Sequence, residues 1–237
     1  MTDAASAARV PDPTPAPSEP SEPADPSEPA DPSEPVTPVA PVARRLTPKG
    51  ARRRQDLMDF AADLFATEGY HTTSVTGIVD GLGVGKGVFY WYFDSKDELL
   101  RQILIDAQHA IRLTQRDAIA DEPDPARRIE QGIRSSIHWL SQHRHLFAIM
   151  EFARTEEPFA EMIRMGEQQV VADALPHVTA GITAGLLRRE DPVVLTTAIL
   201  GVTSHLARVF VLERGEDADR VAEAAIAFCR QGFLATD

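Results

Sequence analysis

The chain has 237 residues and a formal net charge of −12, and 13 of its 18 prolines fall within the first 48 residues. No run of 18 apolar residues occurs, so no membrane span is expected, and the acidic N-terminus has no apolar stretch of the signal-peptide kind. The single cysteine, Cys229, has no partner for an internal disulfide, which suits a reducing cytoplasm.

Residues 1–43 carry eight acids against Arg9 and repeat a Ser-Glu-Pro-Ala-Asp-Pro unit, with proline at every third position from Pro17 to Pro41. A three-residue period matches polyproline II, which buries nothing, so this segment is expected to be a disordered acidic tail. Residues 44–101 hold nine bases and eight acids, and six of those bases crowd into 44–54. Residues 102–237 carry 14 arginines, no lysine and 20 acids, so only the middle segment is suited to phosphate. These shifts give three regions: the tail at 1–43, a region with a basic arm at 44–101, and a helical remainder at 102–237.

Helix signals begin at Thr47-Pro48, an N-cap followed by proline at the first helical position. Leu57, Phe60, Ala61, Leu64 and Phe65 then form one apolar stripe, and Gly69 stops it. A short helix follows from Ser74 to the glycines at 81 and 83, and another runs over 86–93. Ser95-Lys-Asp-Glu98 is a capping box that opens a longer helix through about Arg116. Beyond it, helices are expected over 125–142, 146–153, 158–175, 178–187, 191–213 and 217–235. No segment shows the alternation and turn chemistry of a sheet, so the fold class is all-α, with about nine helices.

Two short helices across a glycine turn make a helix-turn-helix, whose second helix enters the major groove of DNA. Val75, Ile78, Val79, Leu82, Phe89 and Phe93 can close a small core with Phe60, Leu64 and Phe65. Thr76, Lys86, Gly87, Val88, Tyr90, Trp91 and Tyr92 are then left outside. Five consecutive aromatic residues at 89–93 cannot all be buried, because a helix presents its side chains all round. Gly81-Leu-Gly83-Val-Gly85-Lys86-Gly87 does not fit a phosphate-binding P-loop, which needs glycine at Asp80 and a hydroxyl residue at Gly87.

Leu-Phe-Ala-Thr-Glu-Gly-Tyr (64–70), Thr-Ser-Val-Thr-Gly-Ile-Val (73–79) and Gly-Val-Gly-Lys-Gly-Val-Phe-Tyr-Trp-Tyr-Phe-Asp-Ser-Lys-Asp-Glu-Leu-Leu (83–100) resemble the TetR family of bacterial repressors. The resemblance is close over 52–101. It implies that Ser74 caps the second helix and meets phosphate, and that Thr76 points toward the bases. Lys86 and Gly87 would open the recognition helix, with Lys86 donating to guanine. Tyr90 would lie at the groove and Trp91 and Tyr92 on the sugar-phosphate backbone. Lys96 would bind phosphate beside the positive end of its helix, and Arg52 and Arg53 would add attraction without sequence preference. Relatives often have serine or threonine at Gly85, and a polar residue at Val88. Valine can pack on a thymine methyl, so Lys86 and Val88 together favour a G and a T in each half-site.

The resemblance also implies a ligand cavity and a dimer bundle in the remaining helices. Candidate pocket residues are Trp139, Phe147, Met150, Phe152, Met162 and Met165, with His205 and Arg208 as polar anchors. Their spacing fits core packing as well as a pocket. His138, His143 and His145 lack the spacing of convergent metal ligands. Residues 193–211 contain one formal charge, Arg208, and a helix apolar on most sides must be buried. Leu200, Val209, Ala222, Ile226, Cys229 and Phe233, with Ala225 and Phe228, are the expected dimer contacts. The resulting expectation is a cytoplasmic, ligand-responsive homodimeric repressor that binds a pseudo-palindromic operator, with no catalytic role and no cofactor. An activator of the same architecture, or a ligand-binding module that no longer grips DNA, remains as an alternative.

Overall fold

The computed structural model describes residues 46–233; the acidic repeat and the bases Arg44 and Arg45 lie outside them. Thr47 opens α1 (Pro48–Thr67) by accepting from the Gly50 N–H at 3.2 Å, with Pro48 in the first turn. Gly69 reverses the chain at φ 90°, a left-handed conformation that suits glycine. Ser74 caps α2 (Val75–Gly81) by accepting from Gly77 N at 3.0 Å. Gly83, at φ 63°, makes the turn into α3 (Lys86–Tyr92). Ser95 starts α4 (Lys96–Ile119), accepting from Glu98 N at 3.0 Å.

Asp124 caps α5 (Pro125–Gln142) through the N–H groups of Ala126 and Arg127. The break before α6 (Arg144–Thr155) falls at His143, whose ring stacks on Trp139 with centroids 4.4 Å apart. Then come α7 (Glu157–Thr183), α8 (Pro192–Leu206), a π-helical segment (Ala207–Glu213) and α9 (Ala218–Phe233). Nine α-helices and no strand are present among the described residues.

Two cores hold these elements. One gathers Leu57, Ala61, Phe65, Ile78, Val79, Phe89 and Phe93 with Leu99, Leu100, Ile103 and Leu104 of α4, and also takes in Ile149, Phe159 and Ile163 from α6 and α7. Val75, Leu82, Phe60 and Leu64 pack on it half-buried. The other joins α5, α8 and α9 through Ile133, Ile137, Leu140, Ile199, Ala222, Ala225 and Ile226. The division expected at 101/102 falls inside α4, whose early residues belong to the first core and Ala107 to the second.

Two expectations change. The helices expected over 158–175 and 178–187 are one helix, α7, with Pro176 inside it. Proline removes the hydrogen bond to the Ala172 carbonyl, and Ala172 is an exposed residue. On either side of this break, Phe159 and Ile163 are anchored in one core and Val178 in the other.

The helix expected over 191–213 widens after Leu206 into the π-helical segment, where Arg144 donates to the carbonyls of Val211 (2.5 Å) and Leu212 (2.7 Å). The combined run Pro192–Glu213 is long and apolar enough to cross a membrane by length and composition alone, although polar residues such as Thr203, Ser204, His205 and Arg208 interrupt it. It packs against α5, α7 and α9. Only 28% of its apolar window is buried, so the requirement that such a helix be covered is not met by this chain alone.

Gly81 lies against the Phe60 ring, and an added Cβ would sit well inside van der Waals contact of it. At Gly87 an added Cβ meets nothing within 4 Å. Gly81→Ala is therefore expected to lose about 1–3 kcal/mol by overpacking, despite alanine's better helix propensity, while Gly87→Ala keeps or gains stability. Urea denaturation of both variants checks this, and an undiminished midpoint for Gly81→Ala would contradict the close approach.

Candidate nucleic-acid interface and internal cavity

The aromatic run on α3 is divided by the helix itself. Phe89 and Phe93, four residues apart, are 0% and 2% exposed, and their rings lie 5.8 Å apart. Tyr90 and Trp91, on the other side, are 55% and 51% exposed. Lys86, Gly87 and Thr76 are exposed beside them. Val88 and Tyr92 were expected outside; both are half-buried against the core. Tyr92 lies beside Trp91, ring centroids 4.5 Å apart, and its hydroxyl reaches the Gly50 turn at the start of α1. Gly85 gives α3 no side-chain cap.

The bases differ in what they offer. Arg52 and Lys49 are exposed, and Arg53 stands 3.9 Å from Asp56. Arg54 is turned inward, donating to Gln102 and lying over the Phe93 ring. Lys96 is also turned inward. Its ammonium donates to the carbonyls of Tyr70 (2.7 Å) and Thr73 (2.8 Å) and rests 4.2 Å from the centre of the Tyr70 ring. Two of its three N–H bonds therefore hold the α1–α2 loop to the start of α4. Burial lowers its pKa.

The next residue completes the junction: the Tyr70 hydroxyl donates to Asp97. Burial first, then the Asp97 hydrogen bond and charge, push Tyr70 well above its ordinary 10.0.

The sequence-based pocket residues do not converge. Trp139 and Phe147 are core, Met150 and Met162 pack at its edge, and Met165 is 60% exposed. Phe152 faces Tyr70 and His71. Arg208 and His205 touch each other at 3.2 Å, and Arg208 pairs with Glu213 on the surface. The residues that do enclose a cavity, of about 580 Å³, come from α4, α5, α7 and α8. They include Arg112, Arg128, Gly132, Ser136, His177 and Thr203.

A signal for this cavity was present in the sequence. Arg128, Gly132 and Ser136 are spaced by four on α5, a polar and small stripe beside the apolar Ile129, Ile133 and Ile137.

The expected dimer contacts also divide. Ala222, Ile226 and Cys229 are buried in the core of this chain, Val209 is half-buried, and Leu200 lines the cavity. Phe233 ends α9. What α8 and α9 leave uncovered is Val194, Ala198, Gly201 and His205 on α8, and on α9 Ala224, Ala227 and, of the expected contacts, Phe228, which is 64% exposed.

Comparison with known proteins points the same way as the helix-turn-helix. Residues 57–103 match the profile of the bacterial regulatory proteins of the tetR family. The chain is similar to YdgC, an HTH-type transcriptional regulator of Bacillus subtilis, at 23% identity over 78% of this chain and 95% of that one. It is also similar to the HTH-type transcriptional repressor KstR2 of Mycobacterium tuberculosis, at 30% identity over 38% of this chain and 46% of the repressor. Among solved structures, a tetR-family regulatory protein from Rhodococcus RHA1 superposes with a TM-score of 0.68 at 20% identity, covering 78% of this chain and 99% of that one. All three are regulatory proteins.

A folded pKa raised above the unfolded one gives stability that is present below the unfolded value and lost as pH rises past it. Wild-type protein is therefore expected to lose stability relative to Tyr70→Phe above pH 10.0. Lys96, with its lowered pKa, adds the opposite slope to both proteins and cancels in the comparison. Chemical denaturation from pH 8 to pH 11 measures the difference; parallel curves would contradict the buried, Asp97-bound hydroxyl.

Proposed function

Because the chain belongs to the TetR family of bacterial transcriptional regulators, with a helix-turn-helix DNA-binding domain, we propose that it is a homodimeric repressor released from its operator by a small molecule. The observation that carries this is the α3 face, where Lys86, Tyr90 and Trp91 stand exposed on a helix pinned by Phe89 and Phe93. Lys86 donates to base edges, Tyr90 lies in the groove, and Val88 contributes what its half-buried methyls leave accessible. Thr76 points toward the bases, Ser74, Trp91, Tyr92 and the remaining N–H of Lys96 meet the backbone, and Arg52 and Arg53 add sequence-independent attraction. An operator on the chromosome implies a cytoplasmic protein.

Dimerisation supplies the missing cover for α8. The small residues Ala198 and Gly201 allow close approach of a second α8, and Phe228 closes the bundle from α9. Two α3 helices then reach successive major grooves about 34 Å apart. The effector occupies the cavity between α4, α5, α7 and α8. By favouring one setting of α4, it changes the spacing of the two α3 helices without touching DNA.

Site selection from a random DNA library should recover a two-fold site with a G and a T in each half. Lys86→Ala with Tyr90→Ala should weaken binding to that site at least about tenfold at fixed salt. Unchanged binding, or none that depends on salt, would favour a module that no longer grips DNA. Val194→Lys should convert a dimer to a monomer in sedimentation and reduce operator affinity. A dimer that persists would place the interface on another face.

A further inference from the structure

The cavity is apolar over most of its wall but not neutral. Leu113, Ile119, Ile129, Ile133, Val178 and Ile199 supply its greasy side. Against these stand three arginines, Arg112, Arg116 and Arg128, two histidines, and one carboxylate, Asp173. That carboxylate is already engaged: Arg112 donates to it at 2.6 Å and Gln169 at 3.0 Å. Although burial raises its pKa, these bonds hold it below the ordinary carboxylate value. Arg116 pairs with Asp117 at 3.1 Å on the exposed side of α4.

Arg128 is different. It is half-buried, and its Nε donates to the Glu122 carbonyl. Among the described residues no carboxylate stands at ion-pair distance from it; the Glu122 carboxylate instead accepts from Asp124 N and Gln131. Burial, and then the charge of Arg128, lower the pKa of His177. The hydroxyls in the wall have no donor to spare: Ser136 donates to the Gly132 carbonyl, Thr196 to Pro192 and Thr203 to Ile199. Among the three arginines of the wall, Arg128 is thus the one whose guanidinium has no carboxylate partner among the described residues. Beside it on α5, Gly132 leaves the wall open, since an added Cβ there meets nothing within 4 Å.

We propose that the cavity binds an amphiphile with one anionic head, the head on Arg128 and the apolar body along α5 and α8. This rests on reading the cavity as the effector site. A guanidinium is the side chain best shaped for a carboxylate, and in a partly desolvated site the pairing is stronger than on the surface. The same excess of positive charge repels a cationic amphiphile, and a neutral one brings no charge to pair with Arg128. The volume is within the range that encloses a drug-sized molecule.

The test is calorimetric titration of the full chain with decanoate, decanol and decyltrimethylammonium, for wild type, Arg128→Gln and Gly132→Phe, with thermal melting to confirm that each variant is folded. Decanoate should bind wild type most tightly of the three. Arg128→Gln should weaken decanoate by about tenfold or more, with decanol changed less than about twofold. Gly132→Phe, which fills the open side of α5, should abolish binding of both. Decanol or the cation binding as tightly as decanoate, or decanoate indifferent to Arg128→Gln, overturns the anionic head while leaving the cavity as the effector site. Amphiphiles that bind Gly132→Phe undiminished overturn the cavity reading itself, and absence of binding by all three overturns the amphiphile.

Discussion

The continuity of α4 is the constraint on which the rest of the structure depends. Its 24 residues make a rod of about 36 Å at the usual rise per residue. Leu99, Leu100, Ile103 and Leu104 lock its first half into the core beneath α3. His109, Arg112 and Leu113 on its second half form one wall of the cavity. The root of the rod is fastened by Lys96 to the Tyr70 and Thr73 carbonyls and by Asp97 to the Tyr70 hydroxyl. A tilt at the cavity therefore reaches the α1–α2 loop through covalent backbone and three hydrogen bonds, with no flexible joint among the described residues between them. Helix α7 braces the same span from the other side, with Phe159 and Ile163 in one core and Val178 in the other.

The exposed face of α3 is sparse in hydrogen-bond donors and rich in rings. Lys86 is the one charged side chain on α3, with Gly85 and Gly87 on either side of it. Burying Phe89 and Phe93 fixes the angle at which Tyr90 and Trp91 stand out, so the hydrophobic core sets the geometry of a polar encounter. The turning inward of Arg54 and Lys96 explains why a segment with nine bases presents fewer to its surroundings. Those two cations act as fasteners between α1, α4 and the loop that joins α1 to α2.

The sequence made local structure readable and left three-dimensional partnerships obscure. Thr47, Ser74, Ser95 and Pro125 mark helix starts because capping is a matter of a few adjacent residues. The split of Phe89 and Phe93 from Tyr90 and Trp91 follows from helical periodicity alone. Pro176 misled because its cost depends on whether the freed carbonyl meets solvent, which a sequence does not display. The cavity misled for a related reason. Large apolar residues such as Trp139 and Phe147 fill space and become core, whereas a cavity forms where side chains are small or turned aside, as at Gly132. The apolar α8 was readable as a helix needing cover, but which of its faces lacked it could be seen only once α5, α7 and α9 had taken theirs.

The widened turn at Ala207–Glu213 has a consequence for register. An α-helix advances about 100° per residue, so a single extra residue in one turn resets the angular phase of everything that follows. Residues before the turn keep the phase that presents Val194, Ala198 and Gly201 outward, while the chain after it sets its own phase for docking on α5. Arg144 holds that reset in place by taking the Val211 and Leu212 carbonyls at the loosened turn. The insertion thus uncouples two faces that a regular helix would have tied together, leaving each free to vary in sequence without rotating the other.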